Sequence, residues 1–235
     1  MSAKEILQEL KARGNEGYAR ILSKHGVTGP AYGVKIEALK KIQKREKTNY
    51  QLALDLFNTG VYDAMYLAGL IADDSKMTKK DLNHWLDKAG AGPLCSYTVA
   101  WVAAGSPHGR ELALEWIESK KPEVAATGWS TLSSLMSITE DVDLNLPELK
   151  KLLLRVQKTI HDQPDHVRYA MNGFMISLGT YVQPLREMAI EAAEKIGKVS
   201  VDMGDTACNV PFAPEYIRKA AKRNPTGKKR KTAKC

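Results

Sequence analysis

The feature that most constrains this chain is a hydrophobic stripe returning every three to four residues along almost its whole length. Ile6, Leu7 and Leu10 fall on one such stripe, and Tyr18, Ile21 and Leu22 on the next. The same pattern predicts helices over about 34–46, 49–59, 61–73, 78–89, 94–104, 107–119, 121–138, 146–161, 165–179, 182–197 and 213–223. Punctuation agrees with the periodicity. Pro107, Pro122, Pro147 and Pro164 stand where first turns begin, because a first turn leaves its N–H groups unpaired and tolerates a residue without one. Gly60, Gly90, Gly105 and Gly197 stand where helices should stop. Thr78 with Asp81 three residues on reads as a capping box. No sustained run alternates apolar and polar residues, and no Asn-Gly lies between two such runs as a hairpin signal, so a β-fold has no support. The stretch from Val199 to Pro211 has no helical period and is expected as an extended loop.

Roughly thirteen helices of about 10–18 residues, joined by short links, imply an all-α chain in which sequential helices are antiparallel neighbours. The helix pairs recur about every 30–40 residues, which points to a HEAT-like repeat solenoid with a concave face; an irregular bundle is the alternative. Hydrophobic residues make up 43% of the 235, enough to build a core. No apolar run approaches the roughly 18–20 residues that span a bilayer, and no signal-peptide pattern opens the sequence, so a cytoplasmic location is expected. The three cysteines, Cys95, Cys208 and Cys235, form no Cys-x-x-Cys pair, which argues against a disulfide framework and a structural zinc site.

The net charge of +8 is unevenly placed. Nine cations and no acid lie between Arg218 and Cys235, so residues 1–217 carry a net charge of only −1. The segment 224–235 has no apolar face and repels itself, and is expected to be a disordered basic tail following one helical domain, residues 1–223. Any grip on a polyanion by the body must come from local faces. Lys40 and Lys44 share one face of the 34–46 helix, with Lys41 and Arg45 beside them at the same four-residue spacing, a ridge suited to several phosphates. Lys150, Lys151, Arg155 and Lys158 form a second basic stretch, followed by His161, His166 and Arg168, and Lys151, Arg155 and Arg168 are its candidate contacts. Tyr97 and Trp101 lie four apart on one face, a pair able to stack on a nucleobase or to fill a core.

Other chemistry finds little support. The run from His161 to His166 fits no metal-ligand spacing, and Asp202, Asp205 and Cys208 share one loop with no histidine near. No metal or cofactor is expected. Glycine-rich phosphate loops and nucleophile elbows are absent.

Several motifs together resemble the AlkD-like DNA alkylation repair family of HEAT-like alkylpurine DNA glycosylases. They are Ala31-Tyr-Gly-Val-Lys35 followed by Leu39-Lys-Lys-Ile42, Asp63-Ala-Met-Tyr-Leu-Ala-Gly-Leu-Ile-Ala72, and Tyr97-Thr-Val-Ala-Trp101. Ser106-Pro-His-Gly109, Glu115-Trp-Ile-Glu-Ser119, Val167-Arg-Tyr-Ala-Met-Asn-Gly-Phe174 and Val201-Asp-Met-Gly-Asp-Thr-Ala-Cys208 continue the match, which covers nearly all of 1–222. The resemblance implies a concave face that holds double-stranded DNA, and hydrolysis of N3- and N7-alkylpurines without base flipping. It also implies a site of an aspartate four residues after a tryptophan, with a second tryptophan and an arginine. Aligned on the flanking helices, the aspartate falls near Cys95, the tryptophans near Ala91 and near Gly173 or Phe174, and the arginine near Ala126. None of the four is retained. The region instead reads Trp85-Leu-Asp87, with two residues that point to different sides of a helix. Asp87 and Asp165 are the candidate replacement carboxylates. The expectation is a protein that binds damaged, distorted or branched duplex with glycosylase activity in doubt; the alternative is a helical-repeat scaffold for a protein partner.

Overall fold

The computed structural model describes every residue except Ala91 and Asp205. Among the described residues the chain forms thirteen α-helices and no strand. They are α1 (Ala3–Ala12), α2 (Glu16–Lys24), α3 (Ile36–Glu46), α4 (Tyr50–Asn58), α5 (Tyr62–Ile71), α6 (Lys79–Ala89), α7 (Ala100–Gly105), α8 (Gly109–Trp116), α9 (Pro122–Ile138), α10 (Leu146–Thr159), α11 (Asp165–Tyr181), α12 (Arg186–Ile196) and α13 (Ala213–Arg223). Reciprocal capping boxes open two of them: the expected Thr78 with Asp81 at α6, and Ser2 with Glu5 at α1.

The chain divides into two compact units. The first comprises Met1–His108 with Gly204–Thr206 and Lys234–Cys235, and the second Gly109–Met203 with Ala207–Ala233. In the first, α4 and α3 pack on α5, a helix whose residues from Asp63 to Ile71 are all buried. Trp85 of α6 stacks flat on Phe57 of α4, with ring centroids 4.0 Å apart. In the second, α9 lies between α8 and α11, and α11 also carries α12 and α13. Trp129 of α9 meets Phe174 of α11 edge to face at 5.1 Å. Both aromatic pairs are fully enclosed in their unit's core, and such pairs add to the area they bury.

The Tyr-Gly-Val and Asp63 motifs prove to be two halves of one joint. Gly33 has φ +74°, and a Cβ there would lie 2.3 Å from the Asn15 carbonyl oxygen, so only glycine fits. This turn aims the N–H groups of Tyr32 and Val34 at the Asp63 carboxylate, at 2.6 and 2.7 Å. Asp63 is 1% exposed. A buried carboxylate survives there because two backbone donors hold it.

Arg45 performs a related task on the surface. Its guanidinium reaches from α3 to Glu9 of α1 at 2.8 Å and to neighbouring Glu46 at 2.7 Å. Hydrogen bonds from Arg45 hold both carboxyls below the ordinary glutamate range. Acids with a lowered folded value contribute stability that is complete above their unfolded value, about 4.3, and lost as pH falls through the folded one. Thermal melts of Arg45→Met should therefore lie below the wild type at neutral pH. The two curves should converge as pH falls below those lowered folded values; a gap that is independent of pH would show that the ion pairs contribute nothing.

Residues 224–235 depart from the disordered tail expected of them. Lys229, with a side chain only 5% exposed, donates to the carbonyl oxygens of Met136 and Tyr181 at 3.1 and 2.8 Å, and to Asp141 at 2.7 Å. The Arg230 N–H donates to Ser137 O, and Arg186 of α12 donates to Asn224 O and Pro225 O. Lys234 Nζ donates to Ala72 O at 2.7 Å and pairs with Asp74 at 2.7 Å. An apolar face is thus not what orders this segment. Its lysines enter sockets of carbonyl and carboxylate oxygens, where each charge meets several acceptors.

Candidate nucleic-acid interface

The lysine ridge lies on α3, whose Leu39 and Ile42 face the core and whose polar side is thereby turned outward. Lys40, Lys41 and Lys44 are exposed. Lys40 and Lys44, together with Gln43, Lys47 and Thr48, line an open depression of about 340 Å³. Lys41 pairs with Glu37 at 3.1 Å, but both side chains are more than two-thirds exposed, and such pairs exchange readily for a phosphate. Arg45, grouped with these lysines on spacing alone, is instead committed to Glu9 and Glu46. Lys47 joins Lys40 and Lys44 because the chain turns back at the helix end, with φ +57° at that residue.

Tyr97 and Trp101 come together, with ring centroids 5.7 Å apart. The reason is local: residues Cys95–Val99 form a π-helical turn running into α7, and the wider turn pushes Tyr97 outward to 46% exposure. Trp101 meets Tyr66 of α5 edge to face at 5.8 Å, and Tyr66 lies 6.3 Å from Tyr62. Sequence reasoning passed over these two tyrosines, although their four-residue spacing repeats that of Tyr97 and Trp101. Burial pushes the Tyr62 hydroxyl up to about 12, so it stays a neutral hydrogen-bond donor.

The second basic stretch is less available. Lys151 is exposed on α10. Arg155 pairs with Glu118, donates to Ile117 O at 3.4 Å and sits 5.7 Å over the Trp129 ring. Arg168 pairs with Asp165 one helical turn away. Of the three candidates Lys151, Arg155 and Arg168, the two arginines are thus held in internal pairs and Lys151 is turned to solvent.

Cys95, at the aligned aspartate position, is buried, with Sγ 3.1 Å from the Gly90 carbonyl oxygen. Asp87 is exposed on α6, while Trp85 two residues earlier is buried against Phe57. Asp165 opens α11 and is engaged by Arg168 and by the Asp202 N–H at 3.0 Å. Ala126 and Phe174 are core residues of the second unit. Ala91 lies outside the described residues, as does Asp205 of the Asp202–Cys208 loop. His161 bonds to the Ile196 carbonyl oxygen, and among the described residues no group of three His, Cys, Asp or Glu could hold a metal ion. No described helix is long and apolar enough to cross a membrane.

Helix-on-helix units built from thirteen described helices, with exposed lysines and aromatics on them, define an all-α, HEAT-like class of fold. The model of the DNA alkylation repair enzyme family matches residues 6–221, and the chain belongs to that family. Two relatives, uncharacterised proteins of Listeria innocua serovar 6a and Listeria monocytogenes serovar 1/2a, are each 35% identical over 220 residues. Each match covers 92% of this chain and 95% of the relative. A solved structure of 35% identity superposes with a TM-score of 0.91 over the whole of both chains. It is described as representing a new family of proteins related to the HEAT-like repeat DNA glycosylases with affinity for branched DNA structures.

Proposed function

We propose that this protein binds double-stranded DNA at branched or distorted sites, gripping the backbone through its surface lysines without excising alkylated bases. The likeness over the full chain to a protein with affinity for branched DNA carries this reading. The exposed ridge of Lys40, Lys41 and Lys44 supports it, since phosphate contacts supply affinity that does not depend on sequence. Preference for a branch then comes from geometry: a junction offers backbones and unstacked bases that a straight duplex does not. Excision has no support from the carboxylates, because the aligned aspartate position holds a buried thiol.

The test is a salt titration of the triple variant Lys40→Ala, Lys41→Ala and Lys44→Ala. Removing one lysine that neutralises a phosphate should reduce the slope of log affinity against log salt by about 0.9, so a drop approaching three is expected. Affinity at moderate salt should fall about tenfold or more. An unchanged slope would remove this ridge from the interface. The competing reading, a scaffold for a protein partner, draws on the commitment of Arg45, Arg155 and Arg168 to internal pairs. Wild-type binding that vanishes at physiological salt for every DNA shape would favour it.

A further inference from the structure

The basic end of the second unit is built as a fixed surface. Helix α13 buries Ala213, Pro214 and Ile217, and Ile217 lies so close to α11 that a Cβ on Gly179 would stand 2.6 Å from its Cγ2. Arg218 pairs with Glu194 of α12. Arg186 clamps the end of the helix. Its guanidinium donates to Gly179 O and Thr180 O in the last turn of α11, at 2.9 and 3.2 Å, and to Asn224 O and Pro225 O at 3.2 and 2.8 Å. Lys229 closes the same assembly through Met136 O near the end of α9 and Tyr181 O at the end of α11. Carbonyls at a helix C-terminus carry the negative end of its dipole, so these two cations hold the ends of α9, α11 and α13 together. Asn224 then folds the chain back, its side-chain oxygen accepting from the Lys228 N–H at 2.7 Å.

What this framework turns outward is charge. Eight cations and one acid, Glu215, lie between Ala213 and Lys231. Arg218 and Lys229 are engaged in the anchoring, while Lys219, Lys222, Arg223, Lys228 and Lys231 are exposed. Tyr216, half exposed, precedes Lys219 by three residues and Arg223 by seven, so the three share one face of α13 with Lys222 beside them. Cations in a last turn also suit the helix dipole, but that role gives no reason for Lys219 in mid-helix or for Lys228 and Lys231 beyond it. We propose that α13 and the segment 224–231 form a second phosphate-gripping surface, by which the second unit holds the DNA backbone independently of the α3 ridge. The inference rests on the DNA-binding reading above and adds a grip to it. Lys219, Lys222 and Arg223 neutralise phosphates, and a tyrosine hydroxyl is a donor of the kind that fixes register on the backbone. A free tail loses conformational entropy when it binds a polyanion; a surface already fixed by the fold does not. The partner is DNA rather than an anionic membrane, because the apolar side of α13 is packed inside the unit and leaves none to bury in a lipid surface.

The experiment titrates a four-way junction at several salt concentrations against full-length protein and three variants. One carries Lys219→Ala, Lys222→Ala and Arg223→Ala, one carries the α3 set Lys40→Ala, Lys41→Ala and Lys44→Ala, and one carries both sets. The α13 set should lower the slope of log affinity against log salt by about 0.9 per cation, a drop approaching three, with affinity at moderate salt down about tenfold or more. The two sets lie on separate units, so their effects should add, and the combined variant should lose about twice the slope of either. Lys219→Gln with Lys222→Gln keeps the aliphatic stems should the alanine set fold poorly, and should lower the slope by nearly two. An unchanged slope in both α13 variants, or a combined variant no weaker than the α3 set alone, would overturn the second surface while leaving the DNA-binding reading intact. Loss of binding to phosphatidylserine vesicles with the junction slope unchanged would also overturn it, and would assign the face to a membrane. Failure of the unmodified protein to bind the junction would overturn both readings.

Discussion

Replacing Asp63 with Ala should lower the thermal midpoint by about 10 °C, the largest stability effect expected of any single surface-remote side chain here. The carboxylate, 1% exposed, receives the N–H groups of Tyr32 and Val34 at 2.6 and 2.7 Å. Its removal strands two backbone donors, each costing about 1–3 kcal/mol, so the total comes to roughly 3–5 kcal/mol. A domain of this size loses about 2–4 °C per kcal/mol. Asp63→Asn keeps an acceptor and should lose about half as much. Melts followed by circular dichroism read the effect directly. A shift below about 2 °C for Asp63→Ala would mean that the turn at Gly33 finds other partners.

The second large effect is chemical. Release of 7-methylguanine or 3-methyladenine from methylated duplex should be about 100–1000-fold slower than for an active glycosylase of the family, because one preorganised charge contributes about 2.7–4 kcal/mol to such a barrier. Cys95 offers a buried thiol beside the Gly90 carbonyl, which supplies no negative charge to an oxocarbenium-like sugar. Asp165 is paired with Arg168, and Asp87 stands exposed on α6 while Trp85 is turned into the core against Phe57. Single-turnover assays of base release measure this. A rate typical of the family would contradict it, and the variants Asp87→Asn and Asp165→Asn would then identify the carboxylate responsible.

Much of the fold was legible because it follows from local rules. The stripe of α10, with Leu149, Leu152, Leu153 and Val156 buried, is readable from spacing alone, as is the capping box at Thr78. What spacing could not show is who partners whom. Arg45 and Lys44 are adjacent in sequence and equally cationic, yet Glu9, thirty-six residues away, claims one and leaves the other to solvent. Arg155 and Glu118 repeat the lesson at a separation of thirty-seven. The 224–235 segment misled for a related reason. Apolar periodicity says nothing of its order, because Lys229 and Lys234 are fixed by carbonyl oxygens that carry no sequence signal. The outward thrust of Tyr97 depends on a π-helical turn at Cys95–Val99, whose extra residue per turn no periodicity announces.

The most direct measurement is a titration of one four-way junction and one linear duplex, matched in length and sequence, against the full-length protein at a single near-physiological salt concentration. Tighter binding to the junction by about tenfold or more, a difference of about 1.4 kcal/mol, is the expected result. Equal affinity for the two DNAs, or no saturable binding to either, would contradict a function in recognising branched DNA.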